Sequence, residues 1–442
     1  MRVRLILGWL VVLSVVAAIG YAQEPKPVRR LGLAEALDIA RRNNPDYLTV
    51  VANRSPAAAQ AFSAAMGLMT PTASINGGES WTQAGIYNLQ GLSFPTPKTQ
   101  GSAWNLSFGY ILSGQTIANR GAAAAQLHAA DQDIASSLTL LETTVRQEYL
   151  NLLEAKAQAD LAEHVVAKAQ EALNLAQARY SVGQNTMIDV KSAQVDKGTA
   201  DVNLLQAQEN VELEVLRLFR LLGVPAPEPA RIVPTDTFPV VAPLWIQDSL
   251  VSMALAQNPV LLALRARASA AAWNTRAAYS SFAPSLQASA SYGKFVQTSF
   301  DTTGRSTRTT GTSPWNFRIG FSLPIYEQFQ RTSAVAQARA SEDVLDLSIR
   351  ARELQVRADV SSAYVLLDTA YRTIAVQRDN QAAADEALSL ATERYRVGSG
   401  SIIELLTARV TSETASTNYI TAVYNYHKAI AALEQAVGRT LR

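Results

Sequence analysis

The segment RYSVGQNTMIDV, residues 179–190, decides the fold, because it recurs 215 residues later as RYRVGSGSIIEL, residues 394–405. In both copies a long helical pattern ends on a glycine, Gly183 or Gly398, which is a typical signal for a helix C-cap. A short polar turn follows, and an apolar periodic pattern then starts again. The segment therefore predicts the tip of a helical hairpin, and the chain carries two of them.

Each predicted tip also contains the signature of a new helix. Thr186 and Ser401 suit the N-cap position, and Asp189 and Glu404 stand at the third helical position, where an acid completes a capping box. Capping alone would explain both acids, and a functional role for them stays open on the residues alone.

Further sequence pairs extend this duplication through the whole chain. Four recur in the same order at offsets of 211 to 215 residues: Asn44-Pro45 and Asn258-Pro259, Pro71 and Pro284, Trp104-Asn105 and Trp315-Asn316, and Leu222-Gly223 and Val437-Gly438. We divide the chain into a predicted signal peptide (1–22), a first repeat (23–223), a Pro-rich linker (224–243) and a second repeat (244–442). Each repeat is predicted to contain a first helix, two strands and a long helical hairpin.

Apolar heptads run through the long helical regions 115–182 and 326–397, and no proline interrupts either one. The best series are Leu138, Val145, Leu152, Ala159, Val166, Leu173 and Tyr180 in the first repeat, and Val360, Leu367, Ile374, Leu388 and Tyr395 in the second. Sustained heptads indicate helices packed along a shared seam. Each helix would have about 70 residues and a length of roughly 100 Å. The first helices are expected at 33–69 and 244–282.

Four short segments alternate apolar and polar residues, as strands with one apolar face do. They are 72–78, which is the weakest, 104–112, 285–292 and 315–323. The polar stretches 82–101 and 300–313 are predicted to be exposed loops. Two interpretations stay open at this point: a half-buried soluble sheet, or strands of a transmembrane barrel. Four strands cannot close a barrel around a channel, but three chains would supply twelve.

The N-terminus predicts export. Arg2 and Arg4 precede an apolar stretch at residues 5–19, and small residues follow at the expected cleavage positions. After this segment, no apolar run is expected to be long enough to span a bilayer as a helix. A membrane-embedded form would therefore require a closed barrel.

The residues offer no chemistry for catalysis. The chain has no cysteine, a formal net charge of +2, and three histidines, His128, His164 and His427, that are far apart in sequence. It contains no phosphate-binding loop, nucleophile elbow or zinc motif. We therefore expect no enzyme activity, no metal, no cofactor and no nucleic-acid partner.

Taken together, the residues resemble the TolC-type family of outer-membrane efflux and secretion channels. The resemblance covers essentially the whole mature chain. It rests on the opening LAEAL of residues 33–37 with Asn44-Pro45, the duplication, the Trp-Asn strands and the two Arg-Tyr-x-Val-Gly tips. It implies a mainly α fold with a small β-barrel. In such a homotrimer each protomer adds four transmembrane strands to a twelve-stranded barrel, which continues into a long coiled-coil α-barrel in the periplasm.

The same resemblance implies partners and site residues. The tips would dock a periplasmic adaptor protein that connects to an inner-membrane pump. The docking residues would be Arg179, Tyr180, Val182, Gly183, Gln184, Arg394, Tyr395, Val397, Gly398 and Ser399. Asp189, Tyr395 and Glu404 would form the gate and constriction. Gly400 and Thr407 stand where the family's pattern has an arginine and a second acid.

The resulting functional hypothesis is a passive exit duct across the periplasm and the outer membrane, serving a tripartite efflux pump or a type I secretion system. Its barrel would contact outer-membrane lipid. The alternative is a soluble periplasmic coiled-coil scaffold or adaptor.

Overall fold

The computed structural model describes residues 30–227, 232–300 and 305–441, so the predicted signal peptide lies outside the described residues. In chain order the helices are α1 (Leu33–Asn43), α2 (Pro45–Ala52), α3 (Arg54–Met66), α4 (Gly114–Ser181), α5 (Met187–Leu222), α6 (Gln247–Gln257), α7 (Pro259–Ser280), α8 (Gln330–Val397) and α9 (Ile402–Val437). The strands are β1 (Arg30–Leu31), β2 (Thr72–Thr82), β3 (Gly85–Leu89), β4 (Leu92–Thr96), β5 (Lys98–Leu112), β6 (Val233–Pro234), β7 (Ser285–Phe300) and β8 (Ser306–Ser322).

Two long helical hairpins, α4–α5 and α8–α9, dominate the structure. Helices α4 and α8 each have 68 residues, and α5 and α9 each have 36. At 1.5 Å per residue the longer helices extend roughly 100 Å. The predicted seam is confirmed along much of its length, since its buried members include Val145, Leu152, Val360, Leu367 and Ile374.

The repeated Asn-Pro and Gly motifs make the same contact in both halves. The Asn44 side-chain amide donates to the carbonyl of Leu221 at 2.8 Å, and that of Asn258 donates to the carbonyl of Ala436 at 3.1 Å. Each asparagine therefore caps the C-terminal end of the hairpin's return helix. The glycine that ends α5, Gly223, has φ +72°, and a Cβ there would lie 2.3 Å from the carbonyl oxygen of Asn43. Only glycine fits this approach.

The first helix of each repeat is broken, which differs from the continuous helices expected at 33–69 and 244–282. Asn44 and Asn258 are extended, because a residue before proline avoids the helical region. Among the described residues, the helical stretch 247–280 is long and apolar enough to cross a membrane by length and composition alone, contrary to the expectation that no such run exists. Its second part, α7, packs against α4 and α8.

Four strands form one antiparallel sheet in the order β2-β5-β7-β8. Strand β5 of the first repeat pairs with β7 of the second over fifteen residues, from Lys98 opposite Phe300 to Leu112 opposite Leu286. The outer strands, β2 and β8, each have one neighbour in this sheet. The sheet therefore joins the two repeats and presents two edges.

The two faces of this sheet differ in chemistry. Register places Leu106, Phe108, Tyr292 and Phe317 on one face, and Phe317, Ile319 and Phe321 are more than 75% exposed there. The opposite face carries Asn76, Asn105, Ser107, Ser289, Ser291, Asn316 and Arg318. A broad apolar face left without a partner in a single chain calls for a covering environment.

The expected loops are mostly strand, so that part of the sequence interpretation is wrong. The segment 82–101 contains the hairpin β3–β4 and the start of β5, and much of 300–313 belongs to β8. Threonine and serine tolerate extended backbone, and the ladder with β7 satisfies their peptide groups. The short strand β6, in the linker, pairs in parallel with β1.

Candidate functional site at the hairpin tips

The two predicted tips are true helical hairpin turns. Helix α4 gives way to Gly183 (φ +75°) and α8 to Gly398 (φ +85°), in the left-handed conformation that glycine adopts easily. Thr186 accepts a hydrogen bond from the Asp189 N–H at 3.4 Å, and Ser401 accepts one from the Glu404 N–H at 3.2 Å. The predicted N-caps are confirmed.

Arg179 ties the first tip to the second. Its Nη1 donates to the main-chain oxygens of Tyr395 at 2.6 Å and of Arg396 at 3.0 Å, and its Nε donates to Asn185 Oδ1 at 3.1 Å. The two carbonyls end α8, where the helix dipole places partial negative charge. The guanidinium also lies 5.3 Å from the centroid of the Tyr395 ring. The half-buried Arg179 side chain therefore clamps the two hairpins together.

Tyr395 is the buried centre of this contact, with 2% of its surface exposed. The Asn185 amide donates to the Tyr395 hydroxyl oxygen at 2.5 Å. Burial, and then the nearby negative charge of Asp189, raise the pKa of Tyr395, while Asn185 and Arg179 oppose that shift. The phenol is therefore held in its neutral form.

The two acids at the tips have different contacts. Asp189 completes a capping box, since its carboxylate accepts from the Thr186 N–H at 3.0 Å. Glu404 instead pairs with Arg394 Nη1 at 2.5 Å across its own turn. Capping thus accounts for Asp189, whereas the Glu404 carboxylate forms a partly exposed ion pair with the arginine of its own motif.

The two copies of the Arg-Tyr-x-Val-Gly motif occupy unlike environments. Tyr180 is 42% exposed, whereas Tyr395 is buried. The most exposed apolar side chains at the tips are Val182, Ile188, Val397 and Ile403. The predicted docking residues are therefore divided: the valines face outward, while Arg179 and Tyr395 are engaged within the chain.

A second contact between hairpins lies about two helical turns above the tips, and sequence reasoning missed it. Arg409 of α9 forms an ion pair with Asp196 of α5, and both side chains are nearly buried. Arg409 also lies 3.4 Å from Glu413. The signal was available, because Arg409 continues the four-and-three spacing of Ile402 and Leu405 and so occupies a seam position.

No group of three or more potential metal-ligating side chains occurs within the described ranges 30–227, 232–300 and 305–441. The tip arrangement holds neighbouring helices together through charge-assisted hydrogen bonds, which are stronger than neutral ones. Its chemistry is that of a reversible contact between two hairpins.

Comparison with known proteins identifies the family. The family model described as "Outer membrane efflux protein" matches twice, at residues 36–224 and 250–439, in agreement with the duplication. The chain is 24% identical over 418 residues to the outer membrane protein TolC of Vibrio cholerae, covering 92% of this chain and 90% of the relative. It is 25% identical over 294 residues to the outer membrane efflux protein BepC of Brucella suis, which covers 66% of this chain and 61% of the length of BepC.

Solved structures share the fold. The outer membrane protein VceC from Vibrio cholerae superposes with a TM-score of 0.74 at 19% identity, covering 93% of this chain and 97% of that one. The open state of the Neisseria gonorrhoeae MtrE outer membrane channel gives a TM-score of 0.74 at 21% identity, covering 93% and 89%. The two family matches, the long hairpins and the shared sheet agree, and this chain belongs to the outer membrane efflux protein family.

Proposed function

We propose that three copies of this chain close one twelve-stranded barrel that continues into a tube of twelve helices lining a single duct. The observation that carries the proposal is the open four-stranded sheet, whose edges β2 and β8 have no second neighbour among the residues that the structure describes. In lipid every backbone group needs a partner, so such a sheet must close with other copies. A barrel of eight strands is just filled by its own interior side chains, so a barrel of twelve strands leaves room for a channel.

The helices support the same assembly. Within the chain α4 contacts α5, α7 and α9, and α8 contacts α9, so α5 and α8 lie at the two sides of the hairpin layer. Both carry exposed apolar residues at spacings of seven and fourteen: Ile188, Val195 and Val202 on α5, and Val376, Leu390 and Val397 on α8. These are the spacings of unpartnered coiled-coil seams. We infer that α5 of one copy packs against α8 of the next.

As a member of the family, the chain is an outer-membrane exit duct for efflux or secretion. The soluble scaffold is not favoured, because the relatives are outer membrane proteins. In the proposed arrangement the apolar face of the sheet contacts lipid, the polar face lines the lumen, and the helices extend roughly 100 Å into the periplasm. The duct is passive, and energy comes from an inner-membrane pump.

The hairpin tips form the periplasmic end in this proposal. The exposed Val182 and Val397 supply apolar contacts for a periplasmic adaptor protein, and the polar Gln184 and Ser399 flank them. The motif arginines Arg179 and Arg394, which brace the turns, act on docking indirectly by fixing tip shape. Tyr180, Gly183 and Gly398 remain proposed members of the same docking surface.

Asp189, Tyr395 and Glu404 are the proposed gate. Three copies of Glu404 would surround the constriction and favour cations. The Glu404–Arg394 pair partly offsets their charge, so we expect moderate cation selectivity. The test is single-channel reversal potential for Glu404→Gln, with Glu393→Gln as the matched control on the exposed side of α8. Unchanged selectivity in Glu404→Gln would remove Glu404 from the gate.

Cross-linking tests the proposed trimer. The natural chain has no cysteine, so an introduced pair reports without background. Asn76→Cys on β2 is combined in turn with cysteine at Ser313, Asn316 or Gly320 on β8, which lie on the same polar face. We expect dimers and trimers under oxidation at one of these registers, and none with Asn76→Cys alone. Absence of cross-linked species at every register would contradict closure through β2 and β8.

A further inference from the structure

A row of aromatic rings crosses the apolar face of the sheet. The centroid of the Trp104 ring lies 5.7 Å from that of Tyr292, which lies 5.5 Å from that of Trp315. The three side chains come from β5, β7 and β8 and share one face. Trp104 lies near the middle of β5, which runs from Lys98 toward α4, so the row marks where the half of the sheet that is farther from the helices begins. Tryptophan and tyrosine are enriched where a membrane meets water.

Cationic side chains lie on the same face, level with this row and farther from α4. Lys294 lies directly opposite Trp104 in the ladder, Lys98 lies opposite Phe300, and Arg308 lies opposite Thr298. Residues opposite each other in a ladder share a face. The contact of Lys98 Nζ with the Phe300 ring, 5.8 Å from its centroid, confirms this for the outermost pair.

All three cations are exposed, and the sheet does little to neutralise them. Within the four strands the sequence contains one carboxylate, Glu79, opposite Ser102 on the edge strand β2. Strand spacing and rise place Arg308 roughly 12 Å from Lys98 and roughly 14 Å from Lys294. Cations this far apart are better suited to bind separate anionic groups on a surface than to converge on one small ion.

We propose that Lys98, Lys294 and Arg308 bind phosphate-bearing headgroups of lipids in the outer leaflet around the barrel. The inference rests on the proposed membrane-embedded barrel, and its argument is the order of chemistry along one face: an apolar band comes first, then an aromatic row, with cations level with that row and beyond it. Basic residues next to the hydrocarbon boundary attract anionic lipid. The lipid contacts would fix the depth of the barrel in the membrane.

The experiment counts lipids bound to the full-length protein in detergent by native mass spectrometry, with an anionic phospholipid and a zwitterionic one as probes. The variant is Lys98→Gln/Lys294→Gln/Arg308→Gln. The matched control is Arg318→Gln, which removes a cation from the opposite face of β8. From the charge effect of juxtamembrane cations we expect about a fivefold loss of anionic-lipid affinity per charge removed, or about 100-fold for the triple variant.

Equal binding of the two lipids by the natural protein, or unchanged anionic-lipid binding in the triple variant, would overturn the proposal. A millimolar excess of inorganic phosphate should displace little lipid, because the three cations bind headgroups at a lipid surface. Full displacement of the lipid by phosphate would indicate a site for free anions and would overturn the lipid assignment. Conductance in a zwitterionic bilayer is measured on the same variants. A natural protein that conducts normally but binds the two lipids equally would reject this inference alone, and absence of conductance in the natural protein would reject the duct itself.

Discussion

Replacement of Arg179 by methionine tests whether the clamp between the hairpins holds the tip closed. The change removes the guanidinium that donates to the carbonyls of Tyr395 and Arg396 at 2.6 and 3.0 Å, while it keeps an apolar side chain in the seam. Hydrogen bonds to a charged group contribute about 1.5–3 kcal/mol each, and partial exposure of Arg179 reduces the total to about 2 kcal/mol per chain. This corresponds to about a 30-fold shift toward separated hairpins.

The assay is single-channel recording of the purified protein in planar bilayers. We expect the open probability of Arg179→Met to rise about 30-fold. The matched control is Arg396→Gln, because within the described part of the chain the Arg396 side chain pairs with Glu393 of its own helix, at 2.6 Å, and not with the other hairpin. If Arg179→Met and Arg396→Gln differ by less than twofold, the clamp does not hold the tip closed, and the reasoning from its hydrogen bonds is refuted.

Three further predictions follow from other contacts. Asp196→Ala leaves the buried Arg409 with only the more distant Glu413 as counter-ion and should destabilise the protein by about 3 kcal/mol in denaturant unfolding, whereas leucine at positions 196 and 409 should recover most of the loss. Burial raises the pKa of Tyr395, so its contribution to stability is complete below about pH 10 and is lost as pH rises through the folded-state pKa; conductance should therefore rise at strongly alkaline pH in the natural protein and stay flat in Tyr395→Phe. Phe317→Arg should weaken folding into lipid vesicles by about 2–4 kcal/mol, while Asn316→Arg, on the opposite face, should fold normally.

Much of the helical architecture could be predicted from the sequence, because its causes are local. Heptad spacing determines which side of a long helix is buried, and Val360, Leu367 and Ile374 are buried as that spacing indicates. Glycine and capping residues fix the turns, so the tips at Gly183 and Gly398 were found within a residue. The duplication indicated that both halves follow one plan.

The sequence interpretation failed where pairing partners decide the structure. The polar segments 82–101 and 300–313 look like loops, but residues 98–101 pair with β7 of the other repeat, and residues 306–313 pair with the preceding strand β7. Backbone pairing stabilises such strands regardless of side-chain polarity. Likewise, the identical motifs at Tyr180 and Tyr395 have opposite exposure, because only the second tip is covered by Arg179.

Partners across the hairpins could not be predicted either. Arg409 occupies a seam position, which marks it as unusual, but nothing in its neighbours along the chain identifies Asp196 as its counter-ion. From the sequence alone, Asn185 looks like an ordinary turn residue, although its side-chain amide donates a hydrogen bond to the Tyr395 hydroxyl oxygen. Contacts between separate elements depend on the packing of the whole molecule.

The central claim is that this chain forms a trimeric duct, and conductance measured together with oligomer mass tests it most directly. Mature protein purified in detergent is weighed and then added to a planar bilayer. We predict a mass of three chains and small, stable, cation-selective current steps. A monomer that remains in water and gives no current would contradict the account.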